Sequence, residues 1–200
     1  MEYISDLPKV KGRSILHHHI KQEKVVFVSL DLESGGERCG IVQLSAEILR
    51  PELDRAAGKV TKDVLASVKR DGTLYHPETN PDAGVFNKYL NPGEDAEWEP
   101  STTEITGLSP GDERITSVQD IDEVCSLFLK WIEHNIKEDE VGVIVAYNGA
   151  GCDMKWLWRL CHAQNSAQKM HERLLHYMDP YLMMNKWKST YGDQSEKEKA

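Results

Sequence analysis

Two carboxylates stand two residues apart in Ser29-Leu30-Asp31-Leu32-Glu33, directly after a run of β-branched and aromatic residues over 25–30. Such a run reads as a buried strand. Alternate side chains of a strand share a face, so Asp31 and Glu33 project together and Leu30 and Leu32 point the other way. Two anions this close repel each other unless water, a proton or a cation compensates. A hard divalent ion suits the task, because Mg²⁺ takes one or two carboxylates and fills its shell with substrate phosphates. Taken alone, the pair also reads as two solvated acids at a strand end.

A third acid closes the segment Tyr147-Asn148-Gly149-Ala150-Gly151-Cys152-Asp153. An apolar strand over 141–147 runs straight into a tight Asn-Gly-x-Gly turn, and a helix begins at the acid. Asp153 alone reads equally as a helix N-cap. If the strand at 141–147 lies parallel to the one that carries Asp31 and Glu33, however, Asp153 reaches the same sheet edge as those two acids. That edge is the carboxyl end of the strands, where open α/β sheets place their ligands.

The elements that must position these acids follow from the pattern between them. Residues 39–49 form a second strand, and the short Ser34-Gly35-Gly36 link makes it an antiparallel hairpin partner of the first. Residues 50–82 look inserted, with a helix near 60–69. A third strand over 85–90 is ended by Asn91-Pro92-Gly93, and an acidic loop follows. Ser101-x-x-Glu104 has the capping-box pattern, opening a short helix that Gly107 closes. Apolar residues at 121, 124, 125, 128, 131, 132 and 136 follow the helical period over 117–136. That helix returns the chain so that the strand at 141–147 lies parallel to an earlier one. Further helices are expected over 153–163 and 169–178. The result is a mixed α/β sheet with helices packed on it.

With 200 residues the chain is long enough for one domain with a substantial core. Net charge is −9, which argues against a broad basic surface that grips nucleic acid by counterion release alone. It leaves room for a site where bound cations meet phosphate locally. No stretch suggests a secretory signal or a membrane span, so an intracellular protein, in cytoplasm or nucleus, is expected. The four cysteines have no CxxC spacing and read as scattered core thiols. Residues 1–24, with His17, His18 and His19, read as an N-terminal extension, and 189–200 as a polar tail.

In order along the chain, these segments resemble the motifs of the DEDD exonuclease superfamily, which includes the DnaQ-like proofreading and RNase T-like enzymes. Asp31 and Glu33, with Ile41-Val42-Gln43-Leu44 on the next strand, match its first motif. Residues 86–92 resemble its third strand with a terminal Asn-Pro, and Glu104-Ile105-Thr106-Gly107-Leu108 its short helix with a Thr-Gly step. Ala146 through Asp153 resembles its second motif, and Met178-Asp179-Pro180-Tyr181-Leu182 the Asp-Thr-Leu element that often follows. The resemblance covers roughly 25–182 and implies an RNase H-like sheet of three antiparallel strands plus parallel strands, flanked by helices. It places an exonuclease-like domain over 25–188.

It further implies a 3′–5′ exonuclease that releases nucleoside 5′-monophosphates with two Mg²⁺ or Mn²⁺ ions about 3.5–4 Å apart. Asp31 would bridge both ions, Glu33 would hold the ion carrying the attacking water, and Asp153 would complete the other site. Leu32, Ser34, Thr106, Gly107 and Asn148 would meet the 3′ end of a DNA or RNA substrate.

The chain departs from this family at the third motif, His-x4-Asp or Tyr-x3-Asp, which supplies the general base and a fourth acid. No His or Tyr after Asp153 has the required spacing. The expectation is a chain truncated before that motif, or a degenerate relative that binds nucleic acid or a protein partner without cutting. A phosphatase or kinase-like α/β protein using Asp31 as nucleophile is the rival of a different class, but Asp31 is followed two residues on by Glu33 rather than an Asp, and no Walker-type Gly-Lys-Ser loop is present. Lys155 and Arg159, i,i+4 neighbours beside Asp153, read as a solvated helix face or a phosphate-facing pair. Trp131 and Trp156 fall on apolar helical stripes and are expected in the core.

Overall fold

A computed structural model describes residues 24–51, 68–70, 72–117 and 121–191. The triple histidine, most of the expected 60–69 helix and the polar tail lie outside these residues. Six strands form one mixed sheet: β1 Val25–Ser34, β2 Ile41–Pro51, β3 Val68–Arg70, β4 Val85–Tyr89, β5 Val141–Val145 and β6 Leu174–Met178. The order is β3-β2-β1-β5-β6, with β4 on the same flank of β2 as β3 but at the other end. β2 runs antiparallel to both β1 and β4, whereas β5 runs parallel to β1 and β6 parallel to β5. The expected mixed α/β sheet flanked by helices is the fold observed.

Among the described residues, six helices accompany it: α1 Pro100–Thr106, α2 Glu113–Thr116, α3 Ile121–Asn135, α4 Asp153–Ala163, α5 Ala167–Arg173 and α6 Pro180–Tyr191. The alternation expected for β1 is present: Val26, Val28, Leu30 and Leu32 are buried, while Asp31 is exposed and Glu33 partly so. The buried row packs in one cluster with Val124, Phe128, Trp131 and Ile132 of α3 and with Met154, Leu157 and Leu160 of α4. At its centre Phe128 and Trp131 stack at 5.6 Å, and Phe86 of β4 meets Phe128 edge-on at 5.2 Å. The Trp131 indole N–H donates to the Ala83 carbonyl at 2.7 Å, so its one polar atom is satisfied within the core. A smaller cluster gathers Cys39, Val42, Leu108 and Ile115, with Trp98 against it.

Three local expectations are corrected. The helix expected over 169–178 ends at Arg173, and the next five residues form β6. A short buried segment is ambiguous by periodicity, and here pairing with β5 decides it. Gly142 makes that pairing close, since a Cβ there would lie 2.5 Å from the Arg173 carbonyl oxygen. The capping box does not form: the N-cap is Glu99, two residues before Ser101 and without a side-chain cap, and Pro100 stands in the first turn of α1, as proline's fixed φ favours. Gly107 does close α1, in the left-handed conformation at φ 69°. Finally, Pro180–Tyr191 is a helix that the pattern did not announce, because its exposed apolar residues Leu182, Met183 and Met184 give no clean amphipathic stripe.

Among the cysteines, Cys39, Cys125 and Cys161 are buried thiols as expected, but Cys152 is exposed. No helix among the described residues is long and apolar enough to cross a membrane.

Trp131→Ala removes the ring that joins α3 to β4 and leaves the Ala83 carbonyl with only the longer bond from the Asn135 amide, at 3.3 Å. A loss of about 3–5 kcal/mol of stability is expected, read from the denaturant midpoint in urea; a loss below about 1 kcal/mol would show that this cluster does not organise the core.

Candidate functional site

β1 outruns its parallel neighbour. β5 pairs with residues 25–29 only, its last partner being Ser29 opposite Val145. From Leu30 onward that side of β1 has no ladder partner, while β2 still covers the other side to Ser34. A backbone N–H left unpaired in a buried setting costs free energy. Asp153, at the start of α4, supplies the missing acceptor: its Oδ1 takes the Leu32 N–H at 2.9 Å. The bond holds a buried carboxylate at the residue between Asp31 and Glu33. The three acids read from sequence are thereby gathered at one sheet edge.

Asp153 is therefore not an N-cap; that position belongs to Cys152, whose side chain makes no capping bond. Lying in the first turn of α4, the Asp153 carboxylate still benefits from the positive end of the helix.

The electrostatics register the convergence. Burial raises the Glu33 carboxyl above its ordinary value, and the charges of Asp31 and Asp153 push the same way. Burial also raises Asp153, opposed by the Leu32 N–H and reinforced by Asp31 and Asp179. The neighbouring Cys152 thiol, although the residue is exposed, is raised by partial desolvation of its sulfur and then by Asp153 and Glu33. The edge thus carries more negative charge than its own donors neutralise.

The donor chemistry, all carboxylate oxygen, suits a hard divalent cation. Among the described residues, however, no three His, Cys, Asp or Glu side chains are grouped closely enough to hold a metal ion. The acids converge without forming a closed ligand cage, and their mutual repulsion opposes such closure.

The turn before Asp153 is built around another acid. Asp179 is buried, and its carboxylate accepts from the backbone N–H of Asn148 at 2.9 Å, of Ala150 at 3.4 Å and of Tyr181 at 3.0 Å, and from the Tyr177 hydroxyl at 2.9 Å. Burial drives its pKa up, but these donors outweigh burial and leave it below the ordinary carboxylate value. Tyr177, by burial and then by this bond, is pushed well above its ordinary value. Asn148 is held at φ 53°, and a Cβ on Gly149 would come within 2.5 Å of the Ala146 Cβ. The sequence reading saw Asp179 only through a resemblance; its spacing offers no hint of this hub.

The other residues singled out are placed as follows. The Leu32 side chain is buried, so what it brings to the edge is its backbone. Ser34 sits at an irregularity in the β1–β2 ladder. Thr106 uses its hydroxyl locally, donating to the Thr102 carbonyl and accepting the Leu108 N–H. Gly107 follows as the α1 cap. Lys155 and Arg159 are neither free nor solvated alone, since both bind Glu37 in the β1–β2 turn.

No protein-family model matches the chain, and no curated protein matches it. Solved structures share its fold. "Exonuclease I (apo)" superposes with a TM-score of 0.55 at 12% identity, over 80% of this chain and 30% of that one. E. coli Exonuclease I in complex with a dA16 oligonucleotide gives 0.52 at 12%, over 78% and 28%. The zinc ion bound form of the E. coli enzyme with single-stranded DNA gives 0.52 at 14%, over 78% and 28%. The chain spans less than a third of those structures.

Raised carboxyl pKa values mean that the folded state holds these protons more tightly than the unfolded chain does. Stability from Glu33 and Asp153 is thus fully present below the ordinary carboxylate range and lost as pH rises through the raised values. In chelator, Glu33→Gln should raise the melting temperature by about 1–3 °C at neutral pH, a small gain because Glu33 is partly screened by solvent. The difference should vanish below about pH 4. A neutral-pH melting temperature lower than wild type would contradict the charge repulsion.

Proposed function

We propose that this chain is a metal-dependent 3′–5′ exonuclease domain that hydrolyses nucleic acid to nucleoside 5′-monophosphates. The reading is carried by one observation: the Asp153 carboxylate is anchored on the Leu32 N–H, between Asp31 and Glu33. The shared fold with Exonuclease I, which is known with bound oligonucleotide and with zinc, supports the same reading.

Asp31, Glu33 and Asp153 would hold two divalent ions, Mg²⁺ or Mn²⁺, and lower the cost of bringing phosphate to an acidic edge. When bound, such ions activate water and stabilise the charge of phosphodiester displacement. Asp153 would keep its ligand geometry through Leu32. Asp179 would hold the 148–150 turn so that Asn148 stays beside the substrate. Leu32 and Ser34 would line the strand end, with Thr106 and Gly107 across from them.

A second reading is favoured by a specific observation. The chain has neither His-x4-Asp nor Tyr-x3-Asp after Asp153, so the proton of the attacking water has no evident acceptor. On this reading the domain is a catalytically inactive exonuclease-like module that binds nucleic acid or a protein partner.

The two readings separate in one assay on 5′-labelled DNA and RNA strands with Mg²⁺ or Mn²⁺. The first expects ion-dependent shortening from the 3′ end, slow in the wild type and at least about 10³-fold weaker in Asp31→Asn, since the ions supply several kcal/mol. Equal shortening by wild type and variant would overturn it. Binding with no shortening at all would favour the inactive module.

A further inference from the structure

Near this edge, Glu37 is bound by the two cations that follow Asp153 on α4. It stands at the tip of the β1–β2 turn, four residues beyond Glu33, and its carboxylate is taken by two cations of α4. Lys155 Nζ donates to Oε2 at 2.7 Å, and both terminal nitrogens of Arg159 donate to Oε1 at 3.0 Å. Both cations also lie over the Trp156 ring, the ammonium at 5.6 Å and the guanidinium carbon at 4.8 Å from its centre. The turn that presents Glu37 is itself pinned, its N–H donating to Glu99 at 2.9 Å.

Two anionic oxygens on one atom, met by an ammonium on one and a guanidinium fork on the other, is how a phosphodiester is bound. Lys155 and Arg159 lie about 3 Å and about 9 Å along the helix axis from Asp153. Helical side chains lean toward the N-terminus, hence toward the acidic edge. Trp156 beneath both cations keeps them extended together. The pair is exposed at 40% and 49%, and Glu37 at 57%, so the bridge is weak enough to be exchanged. Replacing one oxyanion by another preserves the charge-assisted bonds.

Resting on the nuclease reading of the edge, we infer that Lys155 and Arg159 hold a non-scissile backbone phosphate of the nucleic-acid strand, and that Glu37 occupies this phosphate site in competition with it. The displaced Glu37 carboxylate then faces the strand as a like charge, so it lowers affinity and selects for strands long enough to reach the pair.

The test is equilibrium binding of the full chain to a 5′-fluorescein single-stranded oligonucleotide, DNA and RNA in parallel, by anisotropy in EDTA across a salt series. Lys155→Gln with Arg159→Gln should weaken binding by about tenfold and reduce the slope of log K against log salt by about 0.7, one phosphate contact on a single strand. Glu37→Gln should tighten binding by about three- to tenfold. Wild-type affinity in the double variant, or no binding by the wild type, overturns the site. So does weakening by Glu37→Gln as large as in the double variant, which would mean that the bridge only braces the turn. Cleavage lost in Asp31→Asn together with unchanged binding in the double variant would reject this phosphate site alone; reduced binding in the double variant with no cleavage by the wild type would reject catalysis and keep the site.

Discussion

The site depends on a mismatch of strand lengths. β1 continues past the point where β5 stops pairing with it, and the Leu32 N–H that would otherwise lack a partner is taken by Asp153. A neutral side chain could satisfy that N–H too, but a carboxylate does so with a stronger, charge-assisted bond. It also places a second line of negative charge beside Asp31 and Glu33. One backbone requirement thus ties the start of α4 to the end of β1 and sets the acidity of the edge.

Such an edge is unfavourable to the fold, and the surrounding structure shows how it is tolerated. The buried row of β1 is locked into the aromatic cluster of α3 and β4, so the strand cannot shift register to separate the acids without exposing that row. The turn leading to Asp153 is fastened by the five donors that converge on Asp179, counting the Leu182 N–H with the four already described. Asp179 is an acid whose charge is fully met, whereas Glu33 and Asp153 are acids whose charge is not. Two kinds of carboxylate therefore meet in this part of the fold, one satisfied by the donors around it and one left with uncompensated charge.

The overall balance of −9 makes local cations count. Lys155 and Arg159 rise from the same helix that begins with Asp153, so positive and negative groups are presented on one rigid element. Glu37 and Glu99 brace the opposite bank, the first through those cations and the second through the Glu37 N–H. The edge is accordingly bordered by acids on one side and by neutralised cations on the other.

Much of the arrangement is written in local pattern. The alternation of Val26, Val28, Leu30 and Leu32 against Asp31 and Glu33 tells which face is buried, because the strand period is two. The apolar spacing from Ile121 to Ile136 tells that a long helix must cover that face, and with 141–145 it implies the parallel return. What pattern does not hold is whatever depends on partners distant in the chain. Residues 174–178 are a strand only because β5 offers an edge. Pro180–Tyr191 is a helix without an apolar stripe to mark it. Asp153 taken alone reads equally as a cap, and its bond to the Leu32 N–H comes from 121 residues away, as Glu37 meets Arg159 across 122. Composition and period determine which side chains seek the interior; only tertiary packing decides which charges must then face each other, because electrostatic and hydrogen-bond partners are chosen by distance in space.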